Sequence, residues 1–422
     1  MTHCIISPRR PVFGVLLALL ALTVVACSIR AVWTRTWDGA AHFDDSAAGI
    51  AIDREGNVVV VGQTTDYTPE GTEPGQIVFL EYAQDGSLRW ATQYGHAPGS
   101  NDFVFGTAID ERGTVYAVGS GPGEDGGILA VDTNGALLFR DALPGVAFDV
   151  VVGAPGVCVT GAEATSCYSR DGALVWQAAH SGATGRSIVI DREGNVLVAG
   201  SVAERTASPE DAWWMRDVWI AKYSRTGALL WERREGAEGQ EDGLHAIAVD
   251  ASGNLFATGR VSSRTGVGDF FLVKAAPDGT ELWRVQDDLS SAYLERGDDV
   301  AVDASGHAIV VSMSYSTSSS GVRTTTRYAP DGRVVWRART TGISDLNPDV
   351  HFHRVSLDAS GRIYVTGTAI TVAYDGSGRE LARAEGPTVS ESFVAIDGSR
   401  VFVAESERRG YLDVRLSRYE PR

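Results

Sequence analysis

Short apolar runs, separated by short turns, recur along most of the chain. In residues 50–62, IAIDREGNVVVVG, two runs rich in valine, isoleucine and alanine flank a turn that contains aspartate and glycine. Short runs rich in these residues and bounded by turn residues predict β-strands, and the tight turn between them predicts a hairpin. The pattern therefore predicts a protein built from short antiparallel β-strands.

The hairpin pattern recurs eight times along the chain, and its period of about fifty residues is in the range of propeller blades. A third apolar run follows each copy, and a second tight turn leads to a fourth run in most repeats. Most fourth runs carry an aromatic residue five residues after the first residue of that turn. These residues are Trp90, Phe139, Trp176, Trp231, Trp283 and Trp336, whereas the seventh repeat has Ala382.

Four antiparallel strands per repeat predict an all-β fold, an eight-bladed β-propeller of four-stranded antiparallel blades. The alternative is seven blades, because the third repeat, residues 150–161, is degenerate. The eighth repeat, residues 391–420, supplies only three strands, while residues 30–39 carry Trp33 in the position of the other tryptophans. We therefore expect the N-terminal strand to complete the last blade and to pair strand edges that would otherwise be exposed.

The aspartates of the first turns, such as Asp53 and Asp191, raise the question of a metal-binding loop. An aspartate side chain can accept hydrogen bonds from the turn backbone, and glycine supplies the positive φ that such turns need. A calcium loop would need more oxygen ligands at longer spacing. We interpret the motif as a structural turn, and the repeated tryptophans as packing of each outer strand against the next blade.

The start of the chain is typical of a secretory signal. Arg9 and Arg10 precede an apolar run over residues 12–26, which is shorter than a typical membrane span. The run ends in the sequence VVAC, which resembles the lipobox of bacterial lipoproteins. We expect residues 1–26 to be a lipoprotein signal peptide that is removed.

The cysteine after this cleavage site, Cys27, is the expected lipidation site. Residues 27–30 would then be a short tether, and residues 31–422 a single β-propeller domain. Ser28 favours the outer membrane of a Gram-negative bacterium as the location of the anchored protein. The alternative is ordinary signal cleavage beside an incidental cysteine.

The chain is strongly acidic. Its formal net charge is −17, and removal of Arg9 and Arg10 with the signal peptide makes the charge −19. Such a surface repels phosphate backbones, so we expect no nucleic-acid partner.

The two remaining cysteines of the domain, Cys158 and Cys167, lie in the neighbouring β-like runs GVCVTG and TSCYSR. An even number of cysteines in an oxidising compartment favours a disulfide. If residues 162–163 form the hairpin loop, the two cysteines face each other across the strands. The alternative is two separate buried thiols.

The repeat GIAIDREGNVVVVGQT followed by FLEYAQDGSLRW resembles the bacterial β-propeller repeats known as SBBP repeats. The DGxLxW segment is also similar to the repeats of quinoprotein dehydrogenases and of the propeller lipoprotein in the outer-membrane β-barrel assembly machinery. The resemblance covers essentially the whole expected mature chain. It implies the propeller fold and often a surface or secreted location, but no single activity.

The long, dissimilar connections between strands all fall on the face opposite the Asp/Gly turns, and this long-loop face is where binding is expected. The longest connection contains the candidate binding residues Trp213, Trp214, Met215 and Arg216. Tryptophan, methionine and arginine are typical of protein interfaces, and tryptophan also stacks on sugars. The alternative is that one tryptophan folds down to cover the top of the propeller.

Polar residues also gather just before the innermost strands and would form a ring at the mouth of the central channel. They could bind a cation or a basic peptide, or simply cap loop backbone and face solvent. Two of the histidines fall on one side of a strand, which leaves zinc binding as an open alternative, although we predict no metal. The candidate ring consists of Asp45, Asp102, Asp242, Asp298, Asp349, His351 and His353.

The sequence contains no GxSxG nucleophile elbow, no HExxH metalloprotease motif and no phosphate-binding glycine loop. We predict a non-catalytic envelope lipoprotein without a cofactor, a monomeric propeller that binds or scaffolds an envelope protein through its long-loop face. The alternatives are a carbohydrate-binding propeller with a glycan partner, and a polysaccharide-acting or quinoprotein-like enzyme.

Overall fold

A computed structural model gives the fold of the protein. It describes residues 31–39, 44–68, 71–95, 102–121, 126–203, 216–236, 241–262, 268–287, 294–315, 320–344, 354–367, 370–385, 392–408 and 412–420. These residues form β-strands and turns, and they contain no helix that is long and apolar enough to span a membrane. The predicted all-β fold is confirmed.

The described strands form successive antiparallel groups of four, which we number as blades 1 to 8. Blade 1 contains β2 (Asp45–Ile52), β3 (Val58–Thr68), β4 (Gly71–Tyr82) and β5 (Leu88–Tyr94), and blade 2 contains β6 (Phe103–Ile109), β7 (Val115–Ser120), β8 (Gly126–Val131) and β9 (Leu137–Leu143). Blade 3 contains β10 (Ala147–Gly153), β11 (Gly156–Gly161), β12 (Ala164–Tyr168) and β13 (Leu174–Ala179), and blade 4 contains β14 (Ala183–Ile190), β15 (Val196–Ala203), β16 (Arg216–Tyr223) and β17 (Leu229–Glu235).

The second half of the chain repeats this arrangement. Blade 5 contains β18 (Gly243–Val249), β19 (Leu255–Ser262), β20 (Gly268–Ala275) and β21 (Glu281–Asp287), and blade 6 contains β22 (Leu294–Val302), β23 (Ala308–Tyr315), β24 (Ser320–Tyr328) and β25 (Val334–Ser344). Blade 7 contains β26 (Arg354–Leu357), β27 (Ile363–Thr366), β28 (Ile370–Tyr374) and β29 (Glu380–Glu385). Blade 8 contains β30 (Ser392–Asp397), β31 (Arg400–Arg408) and β32 (Leu412–Tyr419), and its fourth strand is β1 (Ala31–Trp37) from the start of the chain.

The first strands of the blades contact one another in a closed cycle, which runs from β2 through β6 and onward to β30 and back to β2. The chain ends meet in blade 8, where β1 pairs antiparallel with β32 and places Ala31 opposite Tyr419. One additional parallel pair, between Gly268 and Leu294, links blades 5 and 6. The first strands therefore surround the axis, and the fourth strands lie at the periphery.

The hydrophobic core lies between neighbouring blades. Each cluster of buried apolar side chains draws on two adjacent sheets; one example joins Val60 of blade 1 to Phe402 of blade 8. Another cluster joins Leu197 of blade 4 to Phe271 of blade 5. Because both faces of a sheet are covered in this way, the middle strands are apolar on both sides, as in β7 and β8.

The Asp/Gly turns are held by their own aspartates. Oδ1 of Asp53 accepts hydrogen bonds from the backbone amides of Glu55 and Asn57 at 2.9 and 2.8 Å, and Oδ2 accepts one from the Asn57 side chain at 2.7 Å. Gly56 supplies a φ of 79°. Asp250 repeats these bonds with Ser252 and Asn254. The turn motif therefore has the structural role that we inferred from the sequence.

The repeated tryptophans join each outer strand to the next blade. In blade 5, Trp283 donates its indole N–H to the carbonyl oxygen of Pro330 in blade 6 at 2.9 Å, and its ring lies against Gly332. A Cβ on Gly332 would lie 3.0 Å from that ring, so the close approach requires glycine. The same bond to a turn carbonyl of the next blade is made by Trp33, Trp90, Trp176, Trp231 and Trp336.

Candidate functional site

The candidate site lies at the long-loop end of the first strands, where the structure inserts an extra residue. Six first strands shift register there against their second strands, as at a β-bulge. A bulge re-aims the side chain of the extra residue and is common next to binding sites. The extra residues in these described strands are Ala48, Phe105, Phe148, Arg186, His245 and Asp298.

Three consecutive blades place their bulge residues in contact with one another. The rings of Phe105 and Phe148 have centroids 5.6 Å apart, and the guanidinium of Arg186 lies 4.3 Å from the centroid of Phe148. Phe103, two residues before Phe105 on β6, is also exposed. We call Phe103, Phe105, Phe148 and Arg186 the aromatic–arginine patch.

Arg186 is the charged end of this patch. The side chain of Arg186 is exposed, but the surrounding protein removes part of its hydration. This desolvation lowers the pKa of its guanidinium, the nearby positive charge of Arg216 lowers it further, and Glu241 opposes both effects. The carboxylate of Glu241 is bound to Arg260 at 2.6 Å. Arg186 remains cationic at neutral pH, because an arginine starts from a pKa above 12.

The next two bulge residues bind within the protein. A ring nitrogen of His245, Nδ1, lies 3.0 Å from the carbonyl oxygen of Gly297 in blade 6. Asp298 accepts a hydrogen bond of 2.7 Å from Nε of Arg296, and both side chains are buried. The patch therefore covers the side of the channel mouth formed by blades 2 to 4.

Charged residues face the axis one position further along the first strands. Asp149 in blade 3 and Asp299 in blade 6 interact electrostatically although their blades are not neighbours, and the positive charge of Arg354 acts on both carboxyls. Burial raises the pKa of Asp299 to about 6, and the positive charge of Arg354 in blade 7 opposes this effect. Burial also raises the pKa of Asp149.

The same two aspartates connect neighbouring blades. Oδ2 of Asp149 accepts a hydrogen bond of 2.9 Å from the backbone amide of Ile188 in blade 4. Oδ2 of Asp299 accepts an equivalent bond of 2.9 Å from Val355 in blade 7. These bonds give the two carboxyls a structural role in the ring of first strands.

The structure buries the described members of the predicted polar ring, and each is at most 4% exposed. Asp45 accepts a hydrogen bond from the amide of Gly39 at 2.6 Å, and Asp242 accepts one from Ser262 at 2.6 Å. Asp298 binds Arg296, as described above, and the backbone amide of Asp102 binds the carbonyl of Gly75 at 3.3 Å. The carboxylates of Asp45 and Asp242 thus cap backbone amides, as one of the two interpretations of the sequence expected. They are buried, however, instead of facing solvent.

Asp45 lies near two other carboxylates. Among the described residues, one oxygen each of Asp38, Asp45 and Asp413 lie within 4.8 Å of one another. These residues belong to the junction of blades 1 and 8, where the chain ends meet. The backbone amide of Gly39 already binds Asp45 there, and clustered carboxylates alone do not define a metal site.

Arg216 is the one member of the predicted binding loop that the structure describes. Its guanidinium donates hydrogen bonds to the hydroxyls of Ser201 at 2.8 Å and Thr184 at 3.0 Å, so it ties three strands of blade 4 together. The remaining predicted site residues lie outside the described residues. They are Cys27, Trp213, Trp214, Met215, Asp349, His351 and His353.

Cys158 and Cys167 lie directly opposite each other on β11 and β12, joined by the loop of residues 162–163. Their sulfurs are bonded, and both side chains are fully buried. The disulfide thus lies inside blade 3, in the cluster between blades 3 and 4.

The aromatic–arginine patch was missed in the sequence, although a signal for it exists. Phe105, Phe148 and Arg186 each stand five positions before the first residue of the Asp/Gly turn or its equivalent, Asp110, Gly153 or Asp191. Comparing this position across the repeats would have singled out a row of large side chains. The contacts among these three side chains depend on the bulges, which the sequence does not reveal.

The fold is similar to that of solved β-propellers. The structure of BamB from Moraxella catarrhalis aligns with a TM-score of 0.53 at 14% sequence identity, over 93% of this chain and 99% of that chain. The WD40 domain of Pan2 from Neurospora crassa aligns with a TM-score of 0.50 at 10% identity, over 76% of this chain and 89% of that chain. The predicted β-propeller fold is thereby confirmed, and at these identities the similarity extends to the fold alone.

The chain matches no protein-family model and no curated protein. The resemblance to SBBP repeats and the lipoprotein nature of the chain therefore stay predictions.

Proposed function

We propose that this protein is a non-catalytic, lipid-anchored envelope protein that binds another protein through the long-loop face of its propeller. The observation that carries the proposal is the aromatic–arginine patch, in which Phe103 and Phe105 are 42% and 41% exposed. Aromatic and arginine side chains supply much of the binding energy at protein interfaces. Two large rings left in water at the channel mouth are accounted for by a partner that covers them.

The patch differs from the other exposed apolar side chains among the described residues. Those are aliphatic and lie near the start of fourth strands, with one or two in every blade except blade 7, as Leu88 and Leu138 do. Scattered aliphatic side chains on edge strands are ordinary for a soluble surface. The patch instead joins side chains from three blades into one contiguous surface.

The proposed anchor would leave the patch accessible. Ala31, the first residue of β1, pairs with Tyr419, which in turn pairs with Val401 beside the turn between β30 and β31. The tether of residues 27–30 would therefore leave from the Asp/Gly-turn end of blade 8. Four extended residues span about 13 Å. A lipid on Cys27 would hold this end close to the membrane and direct the long-loop face away from it.

A photo-crosslinking experiment in the native envelope tests the proposal. A photo-reactive phenylalanine analogue replaces Phe103, and the control carries the same analogue at Leu138, which is at least as exposed and lies on an outer strand. We expect one dominant protein adduct from position 103 and none from position 138. Absence of a protein adduct at position 103, with the protein folded and present in the envelope, would overturn the proposed function.

Carbohydrate binding is a second candidate, because exposed rings such as Phe105 also stack on sugars. A glycan array probed with the purified protein distinguishes the two functions. Binding to a defined glycan that is lost in Phe105→Ala, without a protein adduct at position 103, would favour the carbohydrate function.

A further inference from the structure

The aromatic–arginine patch has a positive charge at one end although the protein as a whole is acidic. Arg186 is exposed and stacks on Phe148, and it forms no ion pair or side-chain hydrogen bond with any other described residue. From this geometry we infer that the patch recognises a segment of the partner that carries both carboxylate and aromatic side chains. The inference rests on the proposed function and names the chemistry of the partner.

The charges around Arg186 favour an acidic ligand. Glu241 is the carboxylate that acts on Arg186, and Arg260 already binds it at 2.6 Å. Arg216, the second cation near Arg186, is held by the hydroxyls of Ser201 and Thr184. Among the described residues, no carboxylate binds the guanidinium of Arg186 directly, so an arriving carboxylate would meet an unpaired cation there.

The stacking of Arg186 orients its guanidinium for this task. A guanidinium that lies over an aromatic ring keeps the N–H donors in its plane available at its edge. Two parallel N–H donors match the two oxygens of a carboxylate, which gives a bidentate bond. The ring of Phe148 therefore fixes the donors in place before the ligand arrives, and little side-chain entropy is lost on binding.

The apolar half of the patch favours an aromatic residue next to the carboxylate. Phe105 and Phe148 are tilted by 50° with respect to each other, at a centroid distance of 5.6 Å, and Phe103 extends the surface along β6. Aromatic rings prefer such tilted or offset neighbours, so a further ring can pack onto this pair. Lysine-rich segments are disfavoured, because they would bring a cation against Arg186.

Peptide binding to the purified protein tests the inference. The probe is a short fluorescent peptide rich in glutamate and phenylalanine, and binding is followed by fluorescence anisotropy at low and high salt. Two matched peptides carry lysine in place of glutamate or alanine in place of phenylalanine. We expect only the first peptide to bind well, and its affinity to fall as salt rises.

Variants of the patch identify the residues responsible. Arg186→Gln should weaken binding about tenfold and flatten the salt dependence, because a charge-assisted hydrogen bond is lost. Arg186→Lys, which keeps the charge but not the planar stacking, should restore only part of the affinity. The matched control is Arg333→Gln. This arginine lies in a turn of blade 6 on the face opposite the long loops, and 85% of its side chain is exposed. It should bind like the unchanged protein.

Equal binding of the lysine peptide, or unchanged binding by a folded Arg186→Gln variant, would overturn the inference. The crosslink at position 103 separates this outcome from failure of the proposed function. A protein adduct at that position together with no preference among the peptides would leave the protein-binding function standing and remove the acidic, aromatic partner. Loss of the adduct as well would remove both.

Discussion

Glu405 shows how one buried carboxyl can make the stability of the whole propeller depend on pH. It lies on β31 of blade 8, only 5% exposed, with the guanidinium of Arg415 at 3.6 Å. Burial raises its pKa to about 7, against the opposing charge of Arg415. Because the folded pKa is above the unfolded value, the protonated form stabilises the fold, and this stabilisation is lost as the pH rises through 7.

We predict that Glu405→Gln reduces the pH dependence of stability. Between pH 5 and pH 8, protonation of Glu405 accounts for a fall of about 2–3 kcal/mol in the free energy of unfolding. Glutamine stays neutral, so the variant should lose less stability over this range. Denaturant midpoints at both pH values measure the effect, with the exposed Glu385→Gln as control. An unchanged difference between the two pH values would contradict the prediction.

At the scale of the element, each blade is joined to the next through its fourth strand. The indole N–H of the tryptophan binds the carbonyl two residues before the turn glycine of the following blade, as Trp283 does with Pro330 and Gly332. Blade 2 carries Phe139 instead, whose ring lies against Gly172 without an N–H to donate. The equivalent carbonyl, that of Arg170, accepts a long bond of 3.3 Å from Arg112.

This arrangement predicts opposite effects for two substitutions. Phe139→Trp should stabilise the protein by about 1 kcal/mol, because the new indole can donate to the Arg170 carbonyl. Trp283→Phe should destabilise it by a similar amount, since it keeps the ring but removes the donor. Thermal and denaturant unfolding of both variants beside the unchanged protein measure the effects. Destabilisation by Phe139→Trp would show that the site cannot accept the larger ring.

The disulfide in blade 3 supports a second prediction at the same scale. The bond between Cys158 and Cys167 closes a short loop, and such a bond typically contributes about 2–4 kcal/mol to stability. The double variant Cys158→Ala/Cys167→Ala should lose about this amount in a denaturant titration. Without reductant, no free thiol should be detected in unfolded protein at these two positions. Two reactive thiols there would contradict the disulfide.

For the whole molecule, the junction of the chain ends explains the exception among the tryptophan positions. The third strand of blade 8 ends at Tyr419 and its fourth strand starts at Ala31, so blade 8 has no turn between its third and fourth strands. A tryptophan at the end of blade 7 would find neither a turn carbonyl nor a turn glycine. Ala382 occupies this position and packs beside Tyr419 and Ala31.

The lipid anchor is the prediction that concerns the whole molecule. Cys27→Ala should abolish incorporation of an alkyne-labelled fatty acid and move the protein from the membrane to the soluble fraction, because stable anchoring needs the acyl chains. Cys4→Ala, which alters a cysteine of the expected signal peptide, is the matched control and should keep both properties. Labelling of the Cys27→Ala protein would place the lipid elsewhere, and absence of labelling from the unchanged protein would exclude the anchor.

The sequence by itself determined the features that depend on neighbouring residues or on the repeat. Short apolar runs predicted the strands, Asp53 and Gly56 predicted a turn, and the regular spacing of residues such as Trp90 predicted the blade with its contact to the next one. The sequence also indicated that the two ends of the chain share blade 8, because Trp33 stands where the other repeats have their tryptophan. These features are local or periodic, so a single chain read along its length contains them.

Only the tertiary structure decided which distant side chains meet. Phe105, Phe148 and Arg186 are about forty residues apart in sequence and become neighbours because a bulge turns each of them toward the same mouth. The structure also buries Asp45 in the junction of blades 1 and 8, where sequence reasoning expected an open polar ring. Contacts among side chains at the channel mouth depend on strand register and on the geometry of the closed ring, which no local pattern specifies.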